Sequence, residues 1–108
     1  MAYDIAAPQF FDHTIKLPAN EPGGERQSMH VTYKVVPDET AQMNMADTDA
    51  VMAFLHAAVH NISDLVTEDK QPIPFSAELL DQLGAATHLR MALANGYGFG
   101  IGKAAMGN

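Results

Sequence analysis

The 108-residue chain contains no cysteine. Without cysteine it can form neither a disulfide framework nor a thiolate metal site, which fits a reducing compartment. The chain also lacks any run of the roughly eighteen apolar residues that a membrane span needs. Its first four residues, Met1-Ala2-Tyr3-Asp4, show neither the basic region nor the apolar core of a signal peptide. We therefore expect a cytoplasmic protein with no membrane partner.

Basic residues are few. Six lysines and arginines stand against thirteen aspartates and glutamates, so the formal net charge is −7. The acidic residues are scattered along the chain and do not form a tail. A net negative charge favours solubility and opposes binding to a phosphate backbone. The composition therefore predicts a soluble protein that does not bind nucleic acid.

Two alternating segments predict β-strands in the first third of the chain. Residues 10–17 place Phe11, His13, Ile15 and Leu17 on one face, and residues 29–36 place Met29, Val31, Tyr33 and Val35 on one face. The segment between them, residues 18–28, is rich in glycine, proline and charge, which is typical of a mobile hairpin loop. Residues 1–9 show little periodicity and are interpreted as a flexible arm.

Helical spacing dominates the rest of the chain. Asp47 or Thr48 can cap a helix that runs to about Asn61, and residues 38–48 before it fit either a short helix or a loop. A last helix is predicted from Ala77 to about Asn95, with a break near residues 84–87 favoured by Gly84. These elements predict a small α+β single domain over residues 10–95, in which an N-terminal antiparallel hairpin or small sheet packs on two to four helices.

A proline-rich hinge precedes the last helix. Pro72 and Pro74 hold the backbone extended, and Ser76 fits a helix N-cap. Phe75 before the cap and Leu80 after it have the spacing of a hydrophobic staple. We interpret this segment as a structural joint that sets the direction in which the last helix leaves the loop.

Glycine alternates with larger residues after Asn95, in the run Gly96-Tyr97-Gly98-Phe99-Gly100-Ile101-Gly102. The backbone entropy of so many glycines argues against a helix, so residues 96–108 are predicted to be a flexible tail. The tail is either disordered or an aromatic segment for self-association or partner docking. The residues predicted to bind a partner are Leu89, Met91, Leu93, Tyr97 and Phe99.

Evidence for catalytic or metal chemistry is weak. His56 and His60 are one helical turn apart, which is ligand spacing for zinc, but no Glu completes an H-E-x-x-H motif. We favour the interpretation that they are two histidines at the edge of an apolar helix stripe. Ser28, Ser63 and Ser76 lack a G-x-S-x-G context. We expect no enzyme activity, no metal and no cofactor.

Four short segments between residues 51 and 95 occur in a recognisable order. They are Asn61-Ile62-Ser63-Asp64-Leu65-Val66, Gln71-Pro72-Ile73-Pro74-Phe75-Ser76, Glu78-Leu79-Leu80 and Arg90-Met91-Ala92-Leu93. In this respect residues 10–95 resemble the tail assembly chaperones of siphophages and prophages. The chain departs from that pattern at Asn61-Ile62, where the family has Gly-Trp, and at Asp69-Lys70, where it has Asp-Gly. The glycine run replaces the family's C-terminal helical extension, so the chain could be the short form of a frameshifted pair.

The resemblance implies a non-enzymatic role in tail morphogenesis. Such chaperones bind the long, helical tape-measure protein in the bacterial host cytoplasm and keep it soluble until the tail-tube protein polymerises along it. The expected partners are therefore the tape-measure protein and the tail-tube protein, and a homo-oligomer is possible. The alternatives are a structural tail or head–tail joining protein and, with less support, a metal-binding protein that uses His56 and His60.

Overall fold

The computed structural model of the chain describes residue 4, residues 6–67 and residues 69–105. The elements in chain order are β1 (Phe10–Leu17), β2 (Gln27–Lys34), α1 (Asp38–Ala41), α2 (Thr48–Ala58), β3 (Val59–Ser63), α3 (Ala77–Gly84) and α4 (Thr87–Ala105). The strands form one antiparallel sheet in the order β1-β2-β3. The predicted α+β class is confirmed. Part of the predicted arm, including Met1 to Tyr3 and Ile5, lies outside the described residues.

Alternation along β1 and β2 determines which face of the sheet is buried. Phe11 lies opposite Tyr33, and Ile15 lies opposite Met29, with all four side chains in the core. The predicted first strand is confirmed. The predicted second strand is placed two residues too late, because β2 ends at Lys34 and Val35 is 38% exposed.

The structure corrects the end of α2. Its N-cap is Asp47, whose carboxylate accepts a hydrogen bond from the backbone nitrogen of Ala50 at 3.2 Å. The helix was predicted to reach about Asn61, but it ends at Ala58 and the chain continues as β3, antiparallel to β2. Val59 and Ile62 are three residues apart, a spacing that also occurs along a helix face. A β-bulge in the pairing with β2 lets both side chains reach the core from a strand.

The hinge has the predicted local structure. The Ser76 hydroxyl accepts a hydrogen bond from the backbone nitrogen of Leu79 at 3.1 Å, which caps α3. Leu80 is fully buried, and Phe75 is half-buried against the same core. Val66 and Pro72 form an isolated antiparallel bridge that closes the loop before the hinge. The segment therefore directs α3 onto α2.

The predicted break between two C-terminal helices is also present. α3 ends at Gly84, where a Cβ atom would overlap the Met52 side chain on α2. Arg90 then donates a hydrogen bond of 2.8 Å to the Gly84 carbonyl, across the junction between α3 and α4.

The glycine run is helical, contrary to prediction. α4 continues to Ala105, so both the predicted helix end at Asn95-Gly96 and the predicted flexible tail are wrong for residues 96–105; residues 106–108 lie outside the described residues. A Cβ at Gly96 would lie 2.6 Å from Tyr33 Oη, and one at Gly100 would lie 2.6 Å from Phe11 Cε2. Glycine at these positions lets the helix approach the sheet closely. Burial of Tyr97 between them then offsets the backbone entropy.

Four aromatic rings join α4 to the sheet and to α2: Phe11, Tyr33, Phe54 and Tyr97. Their two hydroxyl groups are used inside the core. Tyr33 Oη donates to the carbonyl of Leu93 at 2.6 Å, and Tyr97 Oη accepts from the backbone nitrogen of Val36 at 3.1 Å. Within the described residues, no buried side-chain nitrogen or oxygen atom lacks a hydrogen-bond partner. The position of α4 on the sheet is thus set by both packing and hydrogen bonds.

Replacing Phe75 with Ala should lower the free energy of unfolding by about 1–3 kcal/mol, because its half-buried ring contributes to the core beside the α3 cap. The matched control is Phe99→Ala on α4, where the ring is 71% exposed and the change should stay within about 0.5 kcal/mol. Urea denaturation followed by circular dichroism measures both. Equal losses at the two positions would contradict the assigned role of the hinge.

Two variants, each with one glycine of α4 replaced by alanine, test the packing of this helix. Gly96→Ala should lower the free energy of unfolding by about 1–3 kcal/mol, because the methyl group collides with Tyr33 and Ile15. Gly98→Ala meets no atom within 4 Å and should raise it by roughly 0.5–1 kcal/mol through helix propensity. Thermal unfolding of both variants gives the comparison. Stabilisation by both would mean that Gly96 does not face the sheet.

Candidate functional site

α4 has a second face that turns away from the sheet. This face is formed by residues spaced alternately three and four positions apart, which come to lie on one side of a helix. We call it the outer stripe, and it consists of His88, Met91, Asn95, Gly98 and Gly102. Met91 is half-buried and the other four residues are exposed. The core contacts of α4 hold this stripe in a fixed position on the surface of the domain.

Phe99 flanks the outer stripe. Its side chain is 71% exposed, more than the other large apolar residues with high exposure, Phe10, Val35 and Val66. Beside it is a shallow cleft of about 340 Å³ lined by Ala94, Asn95, Gly98 and Phe99. An exposed aromatic ring next to a cleft is an arrangement suited to docking an apolar partner.

The charge distribution sets α4 apart from the rest of the chain. All thirteen acidic residues precede residue 82, and Arg90 and Lys103 are the only lysine or arginine residues after it. Residues 91–102 carry no Asp, Glu, Lys or Arg. The centre of α4 is therefore an uncharged surface on an acidic protein.

The predicted partner-binding residues divide between the two faces of α4. Leu93 and Tyr97 are buried in the core and are not available on the surface of the folded domain. Leu89 and Met91 are half-buried, and Phe99 is exposed. The structure brings Met91 and Phe99 to the outer side, whereas Leu93 and Tyr97 hold the helix in place.

Sequence reasoning missed the outer stripe because it ended the helix at Asn95. Asn95, Gly98 and Gly102 were not proposed as site residues. No shared residue type marks these positions, which are related only by the three- and four-residue steps from His88 to Gly102 that any helix contains. Only the helical conformation of residues 96–105 gives those steps a meaning.

The two histidines considered as zinc ligands do not share a helix. His56 lies on α2, where its Nε2 is 2.6 Å from a carboxylate oxygen of Asp81 on α3. His60 lies on β3, and its ring packs against Phe10 at a centroid distance of 4.7 Å. Across the part of the chain that the structure describes, no three His, Asp or Glu side chains come together as a metal site requires. The expectation that both histidines lie on one helix, one turn apart, is therefore wrong.

The outer face of the sheet is a ladder of polar pairs. Three directly opposed pairs on β1 and β2 are hydrogen-bonded: Asp12 with Thr32 at 2.7 Å, Thr14 with His30 at 3.0 Å and Lys16 with Ser28 at 3.1 Å. A cleft of about 530 Å³ beside this ladder is also lined by His13, Ser63 and Lys103. Because each pair is hydrogen-bonded within the sheet, the ladder stabilises the hairpin. This stabilising role accounts for the polar side chains on the solvent-facing side of the sheet.

His13 is the titratable group in this region whose environment changes its proton affinity. Its side chain lies under the last turns of α4, where a Cβ at Gly100 would be 3.0 Å from the Cβ of His13. Burial and the nearby charge of Lys103 lower the pKa of His13 below the ordinary value of 6.5. The folded protein therefore binds a proton at His13 less readily than the unfolded chain does.

This difference predicts a pH dependence of stability. Because the unfolded chain takes up the His13 proton first, the free energy of unfolding should fall as the pH drops below about 6.5. His13→Gln should weaken that fall, and thermal unfolding between about pH 5 and 8 measures it. His30→Gln is the control on the solvated face, and a variant at His13 with the wild-type pH profile would contradict the prediction.

Comparison with protein-family models, with curated proteins and with solved structures finds no match for this chain. Among the described residues, no helix has the combined length and apolar character needed to cross a membrane.

Proposed function

We propose that this chain is a tail assembly chaperone of a siphophage or prophage. The proposal starts from the resemblance of residues 10–95, including the segment Gln71 to Ser76 and the segment Arg90 to Leu93. It assigns the chain a non-enzymatic role: binding the tape-measure protein, and acting with the tail-tube protein, in the bacterial host cytoplasm. No cofactor, metal or nucleic acid takes part in this role.

The observation that best supports a binding role is the uncharged outer side of α4, with Phe99 exposed beside the cleft. A partner helix can lay its apolar face on such a surface, where exclusion of water provides the free energy of binding. The acidic remainder of the domain keeps the complex soluble. Many copies can cover one long client, each with modest affinity.

Met91 and Phe99 are the residues to which we assign client contact. Met91 offers a flexible thioether that adapts to different apolar side chains, and Phe99 offers a large rigid ring. Leu89 is half-buried against the core and supports the position of α4. Leu93 and Tyr97 contribute by fixing α4 on the sheet.

Co-expression with a tape-measure protein, whose gene the proposal places beside that of this chain, tests the proposal. The wild-type chain should raise the soluble fraction of that protein and co-purify with it. Phe99→Ser should weaken the complex roughly tenfold or more, because the ring loses its burial against the client. Affinity measured by calorimetry with a soluble tape-measure fragment gives the ratio.

Val66→Ser is the matched control, since Val66 is an exposed apolar residue outside α4, in the bridge with Pro72. It should leave client binding unchanged. Unchanged binding by Phe99→Ser would remove the α4 surface from the proposal. Abundant protein in purified virions would favour the structural tail or head–tail joining alternative.

A further inference from the structure

The outer stripe is asymmetric along its length. Its N-terminal half carries the larger side chains of His88, Met91 and Asn95, and its C-terminal half carries Gly98 and Gly102. A Cβ at either glycine would meet no atom within 4 Å, so the surface there is open. One half of the stripe therefore offers projections and the other half offers depressions.

We infer that a second copy of this chain covers the outer stripe, with the two α4 helices packed antiparallel. A twofold axis between Asn95 and Gly98 places Asn95 against Gly98 of the second copy, and Met91 against Gly102 of the second copy. Within each pair, the two residues lie equally far from the axis along the helix, on opposite sides of it. Each larger side chain then enters a depression left by a glycine, and the same contacts repeat on the other side of the axis.

The parallel arrangement fits this surface poorly. It would place Met91 against Met91 and Gly98 against Gly98, which crowds one end of the contact and leaves a void at the other. Phe99, which flanks the stripe, loses exposed surface in the antiparallel pair.

The charge distribution favours contact between two copies through α4 over contact through any other face. Two domains of net charge −7 repel each other through most of their surfaces. Residues 91–102 are uncharged, and every acidic residue precedes residue 82. Contact through α4 therefore brings together the part of each domain that contributes least to the repulsion.

The dimer should be weak. α4 has nineteen residues and is about 28 Å long. A contact of one helix from each copy falls at the low end of interface sizes, below about 1,200 Å² in total. Because Met91 and Phe99 are also the residues assigned to client contact, the second copy and the client compete; this point alone rests on the proposed function.

Sedimentation velocity over a concentration series up to about 1 mM tests the dimer, since that range reveals even a millimolar Kd. We expect the wild-type chain to pass from monomer to dimer. Gly102→Leu should fill the depression and raise the dissociation constant at least tenfold while retaining the wild-type melting temperature or exceeding it. Ala53→Leu, which adds similar bulk at an exposed position of α2, should dimerise like the wild type.

A wild-type chain that stays monomeric to about 1 mM would overturn the inference. So would a folded Gly102→Leu variant that dimerises as well as the wild type. These measurements contain no client. A dimer found where no tape-measure protein binds would therefore support this inference while the proposed function failed.

Cysteine cross-linking tests the direction of the helices, and the native absence of cysteine leaves no background. Met91→Cys mixed with Gly102→Cys should form a disulfide-linked heterodimer under mild oxidation, because these positions face each other across the axis. Neither variant alone should cross-link efficiently. Cross-linking of each variant with itself, and none in the mixture, would show the parallel arrangement and overturn the proposed register.

Discussion

The close approach of α4 to the sheet is the contact on which the rest of the structure depends. Gly96 and Gly100 lie where any side chain would collide with Tyr33, Ile15 or Phe11. Their lack of a Cβ lets the helix backbone come near enough for Tyr33 Oη to reach the Leu93 carbonyl. Such a contact combines apolar burial with a satisfied buried hydroxyl, which makes the position of the helix specific as well as stable.

Fixing one side of α4 determines what its other side can do. Because the core holds Leu93 and Tyr97 inward, Met91, Asn95 and Phe99 point away from the sheet. The proposed client site and the proposed dimer contact both use this outer side. A weak contact with a second copy would shield Phe99 from unspecific association, yet it would yield to a client that buries more apolar surface.

Local patterns were sufficient to predict most elements but not their full extent. Alternation predicted β1 to the residue, and Ser76 marked the start of α3. These features succeed because their determinants lie within a few residues of one another. β3 was missed because the step from Val59 to Ile62 satisfies a helix face as well as a bulged strand, and only pairing with β2 decides between them.

The candidate site was predicted only in part for the same reason. Phe99 stood out as an aromatic residue among glycines, but the stripe beside it exists only if residues 96–105 are helical. Helix formation there depends on the sheet, which is distant in sequence. Helix propensity correctly describes the cost of glycine in an isolated helix. It does not include the packing against the sheet that only glycine allows here.

The packing of α4 on β1 also has a consequence for the order of folding. The partners of Gly96 and Gly100 are Phe11 and Ile15, at the opposite end of the chain. During synthesis the hairpin emerges early, yet the apolar side of β1 stays uncovered until α4 is made, because α2 packs on β2 and β3. Long sequence separation of this kind slows folding. A product truncated near residue 95 would keep β1 to α3 and the first half of α4, but it would lack Tyr97 and the other residues that close the core.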